Sequence, residues 1–210
     1  MRGLYPIVDT DALKARGIAL LEFAEQVLSA HPPLLQLRAK HLGGRDTLSL
    51  LSALLPLCRA RGTLLFANDR PDLAMLAGCD GIHVGQDDLP LALVRQLAPR
   101  LKLGVSTHDL AELAAALAER PDYVAFGPIF ATGSKASPDP LVGLEGLQLA
   151  ATRARDAGVP LVAIGGITLE RAPSIARCGA LAAVIAGLLP ERGELSEVAA
   201  RAAAFQRALA

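Results

Sequence analysis

The 210-residue chain has no excess of either charge: 21 Lys and Arg balance 21 Asp and Glu, and the formal net charge is zero. That excludes a nucleic acid or a membrane surface held by bulk electrostatics, so any anion site has to be built locally. Cysteine is scarce. Cys58, Cys79 and Cys178 are scattered, odd in number and form no CxxC pair, which leaves neither a disulfide framework nor a zinc site. Each reads as a small buried apolar residue. Apolar runs are broken by Gly, Pro or charge well before membrane-spanning length, and the N-terminus lacks the apolar core and cleavage site of a signal peptide. The expectation is a soluble, cytoplasmic, reduced protein. There is no linker and no low-complexity segment. With 52% hydrophobic residues the chain suffices for one sizeable core and is short for two, so residues 1–210 read as a single domain.

What is present is a rhythm. Short leucine-rich or β-branched runs alternate with Ala/Leu-rich stretches of helical period. The pattern predicts strands over Leu4–Val8, Leu34–Arg38, Thr63–Ala67, Gly81–Val84, Lys102–Ser106, Asp122–Gly127, Leu161–Ile164 and Ala182–Ala186. Between them it predicts helices over Gly17–Ala30, Asp46–Arg61 (kinked at Pro56), Pro71–Ala77, Pro90–Leu97, Asp109–Glu119 and Leu144–Ala157. A further helix starts with Thr168 as N-cap, and the last runs over Leu195–Leu209. Eight strand–helix units close naturally into a (β/α)8 TIM barrel, which abolishes sheet edges. A doubly wound open sheet uses the same alternation. It is disfavoured by the count of eight and by the absence of a glycine-rich fingerprint after the first strand.

A barrel places its chemistry at the C-terminal ends of its strands. Gln36, Arg38 and Lys40 share one side of strand 2, with Leu35 and Leu37 on the other. That polar side faces the interior, where cations demand an anionic ligand or acidic residues on neighbouring strands. Asn68-Asp69-Arg70 follows strand 3, and Gly85-Gln86-Asp87-Asp88 follows strand 4. Carboxylates from adjacent loops beside cations suggest a magnesium site, while helix capping at Pro71 and Pro90 is the competing use of the same residues. Ser106-Thr107-His108 follows strand 5, where an N-cap is again the plain alternative and His108 is a weak candidate base. The long loop after strand 6 carries Thr132-Gly133-Ser134-Lys135, either a phosphate grip or a solvated lid. Gly165-Gly166 after strand 7 and Gly187 after strand 8 suit backbone phosphate binding, or simply turns. The residues alone give a mouth with two anion grips, for two phosphorylated ligands or one bisphosphorylated ligand.

The ordered set Gln36-Leu37-Arg38-Ala39-Lys40, Asn68-Asp69-Arg70, Gly81 through Pro90, Gly104 through His108, Asp122-Tyr123, Gly127 through Phe130 and Ala163 through Ile167 resembles the thiamine-phosphate synthase family along nearly the whole chain. The resemblance implies a magnesium-dependent transferase. Such an enzyme joins a pyrimidine diphosphate to a thiazole phosphate, with or without a carboxyl group on the thiazole, and releases diphosphate. It implies that Gln36, Arg38, Lys40, Asn68, Ser106 and Lys135 bind the pyrimidine diphosphate, with Arg38, Lys40, Ser106 and Lys135 assisting catalysis. Asp69 and Asp88, 19 residues apart as in the family, would hold Mg2+. Thr132, Ser134, Gly166, Ala186 and Gly187 would receive the thiazole phosphate. Four positions depart from the family pattern. Ala39 stands for a glutamate, Gly133-Ser134 alters the lid, Val8 replaces a threonine, and Ala186-Gly187 replaces an aliphatic–serine pair. A related thiazole tautomerase of the same fold is the alternative, although Pro128 stands where its histidine is expected. A barrel that binds these ligands without catalysis is a third reading. The expected partners are small phosphorylated molecules; a homo-oligomer is left open.

Overall fold

The computed structural model describes residues 2–131, 140–190 and 194–210. Eight parallel strands form a closed barrel in chain order: β1 Leu4–Asp9, β2 Leu34–Arg38, β3 Leu64–Asn68, β4 Gly81–Val84, β5 Lys102–Thr107, β6 Tyr123–Phe126, β7 Leu161–Ile164 and β8 Leu181–Val184. β1 pairs with β2 on one side and β8 on the other, so no edge is left to cover. Around the barrel run α2 (Leu20–Leu28), α3 (Gly44–Ala60), α4 (Pro71–Ala77), α5 (Leu91–Leu97), α6 (Leu110–Ala118), α7 (Gly143–Asp156), α8 (Ala172–Arg177) and α9 (Leu195–Leu209). The barrel expectation holds, as does most of the element order. No helix among the described residues is long and apolar enough to cross a membrane.

Several strand and helix ends shift by one to three residues, and three differences have identifiable reasons. The segment after β1 forms an additional short helix, α1 (Thr10–Lys14), because Asp9 accepts from the Ala12 N–H at 2.8 Å and caps it. Thr168 is not an N-cap: its carbonyl accepts from Arg171 and Ala172 in a turn, and α8 begins at Ala172. β8 ends at Val184, and Ala186–Leu188 turns into a 3-10 helix.

The alternation of strand residues sorts the core into two layers. Leu35, Leu37, Ile82, Leu103 and Val105 point outward into the cluster shared with the helices. Tyr5, Ile7, Phe66, Tyr123, Val162 and Leu181 fill the barrel itself. Tyr5, Phe66 and Tyr123 meet edge to face, with ring centroids 5.5 to 6.3 Å apart. Glycines on neighbouring strands make room for them. Gly104 pairs with Tyr123 across β5 and β6, and a Cβ at 104 would lie 2.0 Å from Tyr123 Cζ. Gly104→Ala is therefore expected to overpack the barrel and cost about 3 kcal/mol. Urea unfolding of the variant beside wild type measures this.

Cys58 and Cys79 are buried in the outer layer, and burial pushes both thiols up to about 12. The folded state holds these protons more tightly than the unfolded chain, whose thiols titrate near 9. Stability from this source is complete below pH 9 and is lost as pH rises towards 12. Melting temperatures between pH 8 and pH 10.5 should fall accordingly. Cys58→Ala combined with Cys79→Ala should flatten that dependence.

Candidate active site

The ends of β1 to β5 bring the polar residues of the chain together. Gln36, on β2, points into the barrel and is 2% exposed. Arg38, one strand-turn further, reaches the rim and forms an ion pair with Asp9 at the end of β1. The register sets this contact, since Asp9 and Arg38 are direct partners across the two strands. Asp9 is buried while the Arg38 side chain keeps 26% exposure, so the guanidinium is neutralised from below and open from above. Lys40 lies past the strand with its Nζ 3.4 Å from Asp69 Oδ2. The pairing of these cations with acids on neighbouring strands, one of the two uses expected of them, is thus present. Both remain at the open rim.

Asp69 sits just after β3 with φ +63°, the left-handed region, and its N–H donates to the His83 carbonyl at 2.9 Å. It does not cap α4, which has no side-chain cap. Asp88 accepts from the Gly85 N–H at 2.7 Å, closing the loop after β4, and α5 likewise has no side-chain cap. The capping alternative therefore fails for Asp69 and Asp88. Instead both carboxyl groups sit on the same rim, near enough for Asp88 to act on the titration of Asp69. Burial, reinforced by the Asp88 charge, raises the Asp69 pKa against the opposing pull of Lys40. Two hard carboxylates held close at a solvent-reached rim form a suitable cradle for a divalent cation that draws its remaining ligands from water and phosphate. Among the described residues no group of three or more His, Cys, Asp and Glu surrounds a metal position. A two-carboxylate site fits Mg2+ and not an all-protein cage.

Ser106 is freed from the capping role because Asp109 takes it, accepting from Ala111 and Glu112 N–H at 2.8 Å each. Ser106 Oγ instead meets His83 Nε2 at 2.9 Å. His83 Nδ1 meets the Tyr123 hydroxyl at 2.8 Å, Tyr123 meets the Tyr5 hydroxyl at 2.8 Å, and Gln36 Nε2 donates to Tyr5 at 3.0 Å. His83 stacks on the Tyr123 ring, and burial lowers its pKa to about 4, keeping it neutral. The Ser106 backbone is fixed from outside by Gln86 Nε2, which donates to its carbonyl at 2.6 Å. His108 is not part of this group; it contacts Glu112 on α6. Asn68 ends β3, opposite His83 in the register.

The second half of the rim is backbone. Gly166 has φ +60°, and a Cβ there would lie 2.4 Å from the Ala131 carbonyl, so only glycine lets the loops after β6 and β7 approach. Phe130 N–H donates to the Gly165 carbonyl at 3.1 Å, and Arg171 ties both loops by donating to the Gly166 carbonyl at 2.7 Å while lying over the Phe130 ring. Ala186 and Gly187 open the 3-10 turn after β8. A Cβ on Gly187 would sit 3.0 Å from each of Ile167 O, Phe205 Cζ and Val184 Cγ1. Ile167, Val184 and Phe205 of α9 thus crowd this position, and a serine here would need them to give by a few tenths of an ångström. Thr132, Ser134 and Lys135 lie outside the described residues. A groove of about 310 Å3 between α7 and α8, lined by Gln148, Arg155 and Arg177 among others, is on the helical layer and does not touch these strand ends.

Residues 4–188 match the family model described as thiamine monophosphate synthase. The chain belongs to that family. A thiamine-phosphate synthase of Chlorobium phaeovibrioides is 46% identical over 159 residues, 75% of each chain. One from Koribacter versatilis is 44% identical over 190 residues, covering 89% of this chain and 88% of the relative. Among solved structures, the thiamine phosphate pyrophosphorylase from Pyrococcus furiosus superimposes with a TM-score of 0.85 at 28% identity, over 98% of this chain and 94% of that one. Members of the family are transferases, and the barrel, the order of its motifs and the family resemblance read from sequence all agree with this placement. Sequence reasoning passed over Tyr5, Asp9, Tyr123 and His83 as site components. The available signal was their polarity at inward-facing strand positions, the same signal that singled out Gln36.

Proposed function

We propose that this chain, as one catalytic barrel domain spanning residues 1–210, makes thiamine phosphate. Its substrates on this reading are 4-amino-2-methyl-5-(diphosphooxymethyl)pyrimidine and 4-methyl-5-(2-phosphoethyl)thiazole or the 2-carboxy form of the latter. The observation that carries the reading is the gathering of Arg38, Lys40, Asp69 and Asp88 on one rim, with the Arg38–Asp9 and Lys40–Asp69 ion pairs beside the Asp88 carboxyl.

The chemistry is a dissociative substitution. The bond from the pyrimidine methylene to the diphosphate oxygen breaks, and its electron pair leaves with diphosphate. The methylene cation is stabilised by the electron-rich aminopyrimidine, and the thiazole nitrogen then captures it. The chain's task is to stabilise charge growing on the departing diphosphate and to hold the two rings in line. Arg38 and Lys40 face that charge, a task that the family resemblance also assigns to Lys135. Gln36, Asn68 and Ser106 hold the pyrimidine diphosphate. Asp69 and Asp88 would hold Mg2+, which when bound supplies positive charge to the phosphate oxygens. Gly166, Ala186 and Gly187 offer backbone N–H groups to the thiazole phosphate, and the family resemblance assigns Thr132 and Ser134 to the same ligand. The first N–H groups of a helical turn lack intrahelical acceptors, which suits Ala186 and Gly187 to this role without a side-chain donor. The free cysteines suit a reduced, cytoplasmic setting.

The test is incubation of the purified protein with both substrates, with and without Mg2+, while thiamine phosphate and diphosphate are both quantified. Equal amounts of the two products, dependent on the metal, are expected. Absence of diphosphate release under saturating substrates would refute the reading, and a control with the thiazole phosphate alone should leave that compound unchanged.

A further inference from the structure

The row Gln36–Tyr5–Tyr123–His83–Ser106 crosses the barrel and emerges at the rim, with successive contacts of 3.0, 2.8, 2.8 and 2.9 Å. Each hydrogen in it has one consistent place. The amide nitrogen of Gln36 has no lone pair to offer, so the Tyr5 hydrogen cannot point back at it. It points to Tyr123. Tyr123 then directs its own hydrogen to His83 Nδ1, since the Tyr5 hydrogen already occupies the space between the two hydroxyls. A neutral imidazole that accepts at Nδ1 carries its hydrogen on Nε2, which faces Ser106 Oγ. The reverse direction would leave the Tyr5 hydrogen without an acceptor in a residue only 1% exposed. Ser106 therefore accepts from inside, and its own hydrogen is left to point into the mouth.

We propose that Tyr5, Tyr123 and His83 are positioning residues whose polarised hydrogen bonds make Ser106 a committed donor to an anionic phosphoryl oxygen of the ligand. A hydroxyl that already accepts a hydrogen bond is a stronger donor, so the row both orients and sharpens Ser106. The ligand atom beside Ser106 must then be an acceptor, and an N–H group there would be rejected. The identity of that ligand rests on the thiamine phosphate reading; the direction of the row does not.

Two measurements separate the two. Two-bond 1H–15N correlation of histidine-labelled protein at pH 7, with His83 assigned by the signal lost in His83→Gln, should show the neutral Nε2–H tautomer. The Nδ1–H tautomer would overturn the row. In the condensation assay, Tyr5→Phe removes one hydroxyl without touching the rim, and kcat should fall by about tenfold with KM for both substrates within about twofold. His83→Gln, whose amide nitrogen stands near the position of imidazole Nε2, should keep about tenfold more kcat than His83→Leu at matched melting temperature. An unchanged kcat in Tyr5→Phe, or equal losses in the two folded His83 variants, would overturn the positioning role. A wild type with the Nε2–H tautomer and no thiamine phosphate product would support the row and sink the ligand assignment.

Discussion

Asp69→Asn should lower kcat for thiamine phosphate formation by about three orders of magnitude at saturating Mg2+, and should leave the protein at least as stable as wild type. The two expectations have opposite signs for one reason. Asp69 is held half-buried against the Asp88 carboxyl, which raises its pKa. Without a cation, folding brings two like charges together, so removing one relieves repulsion. The lost ion pair with Lys40 costs little, because the lysine side chain is 44% exposed. On the proposed reading the same carboxylate serves as a metal ligand once substrate is present, and an amide is a poor substitute. Thermal melts with and without Mg2+ and diphosphate make the comparison. Wild type should gain melting temperature on adding both, and the variant should not. A variant that loses activity and stability together would point to a structural role instead.

Arg38→Ala is expected to reduce kcat/KM for the pyrimidine diphosphate by about a hundredfold and to lower stability as well. Removing one partner of a buried ion pair commonly costs about 3–5 kcal/mol. Here the figure should fall nearer 2 kcal/mol, because Asp9 retains the Ala12 N–H as a partner at the start of α1. Arg38→Lys should restore stability better than activity. An ammonium can pair with Asp9, but it lacks the second face of a guanidinium, which on the proposed reading engages Asp9 below and phosphate above. Urea denaturation and steady-state kinetics on the two variants read the terms separately.

The barrel was legible because its strands are short leucine-rich runs punctuated by Gly and Pro, and because there are eight of them. Gln36, Arg38 and Lys40 could be placed on one side by the two-residue period of a strand. What stayed hidden was whatever depends on distance in sequence. Tyr5 and Tyr123 meet across 118 positions, and His83 reaches Tyr123 across 40. No local pattern announces such a contact. The competing uses of Asp69 and Asp88 also needed coordinates, since a carboxylate two residues before a proline reads equally as cap or ligand. The left-handed backbone at Asp69 and the Gly85 N–H bond to Asp88 take both carboxylates out of the capping role. Gly187 is the reverse case. It reads as a departure from the family, and only the packing of Ile167, Val184 and Phe205 around it shows how tightly a side chain would fit there.

The seam between β1 and β8 joins segments that lie far apart in the sequence. Asp9 and Arg38 belong to adjacent strands and meet across 29 positions. Leu4, by contrast, donates its N–H to Gln206, and the first strand pairs with Ala182, Ala183 and Val184. Closing the cylinder is therefore an event of high contact order, entropically harder to reach than the local pairing that builds the cationic rim.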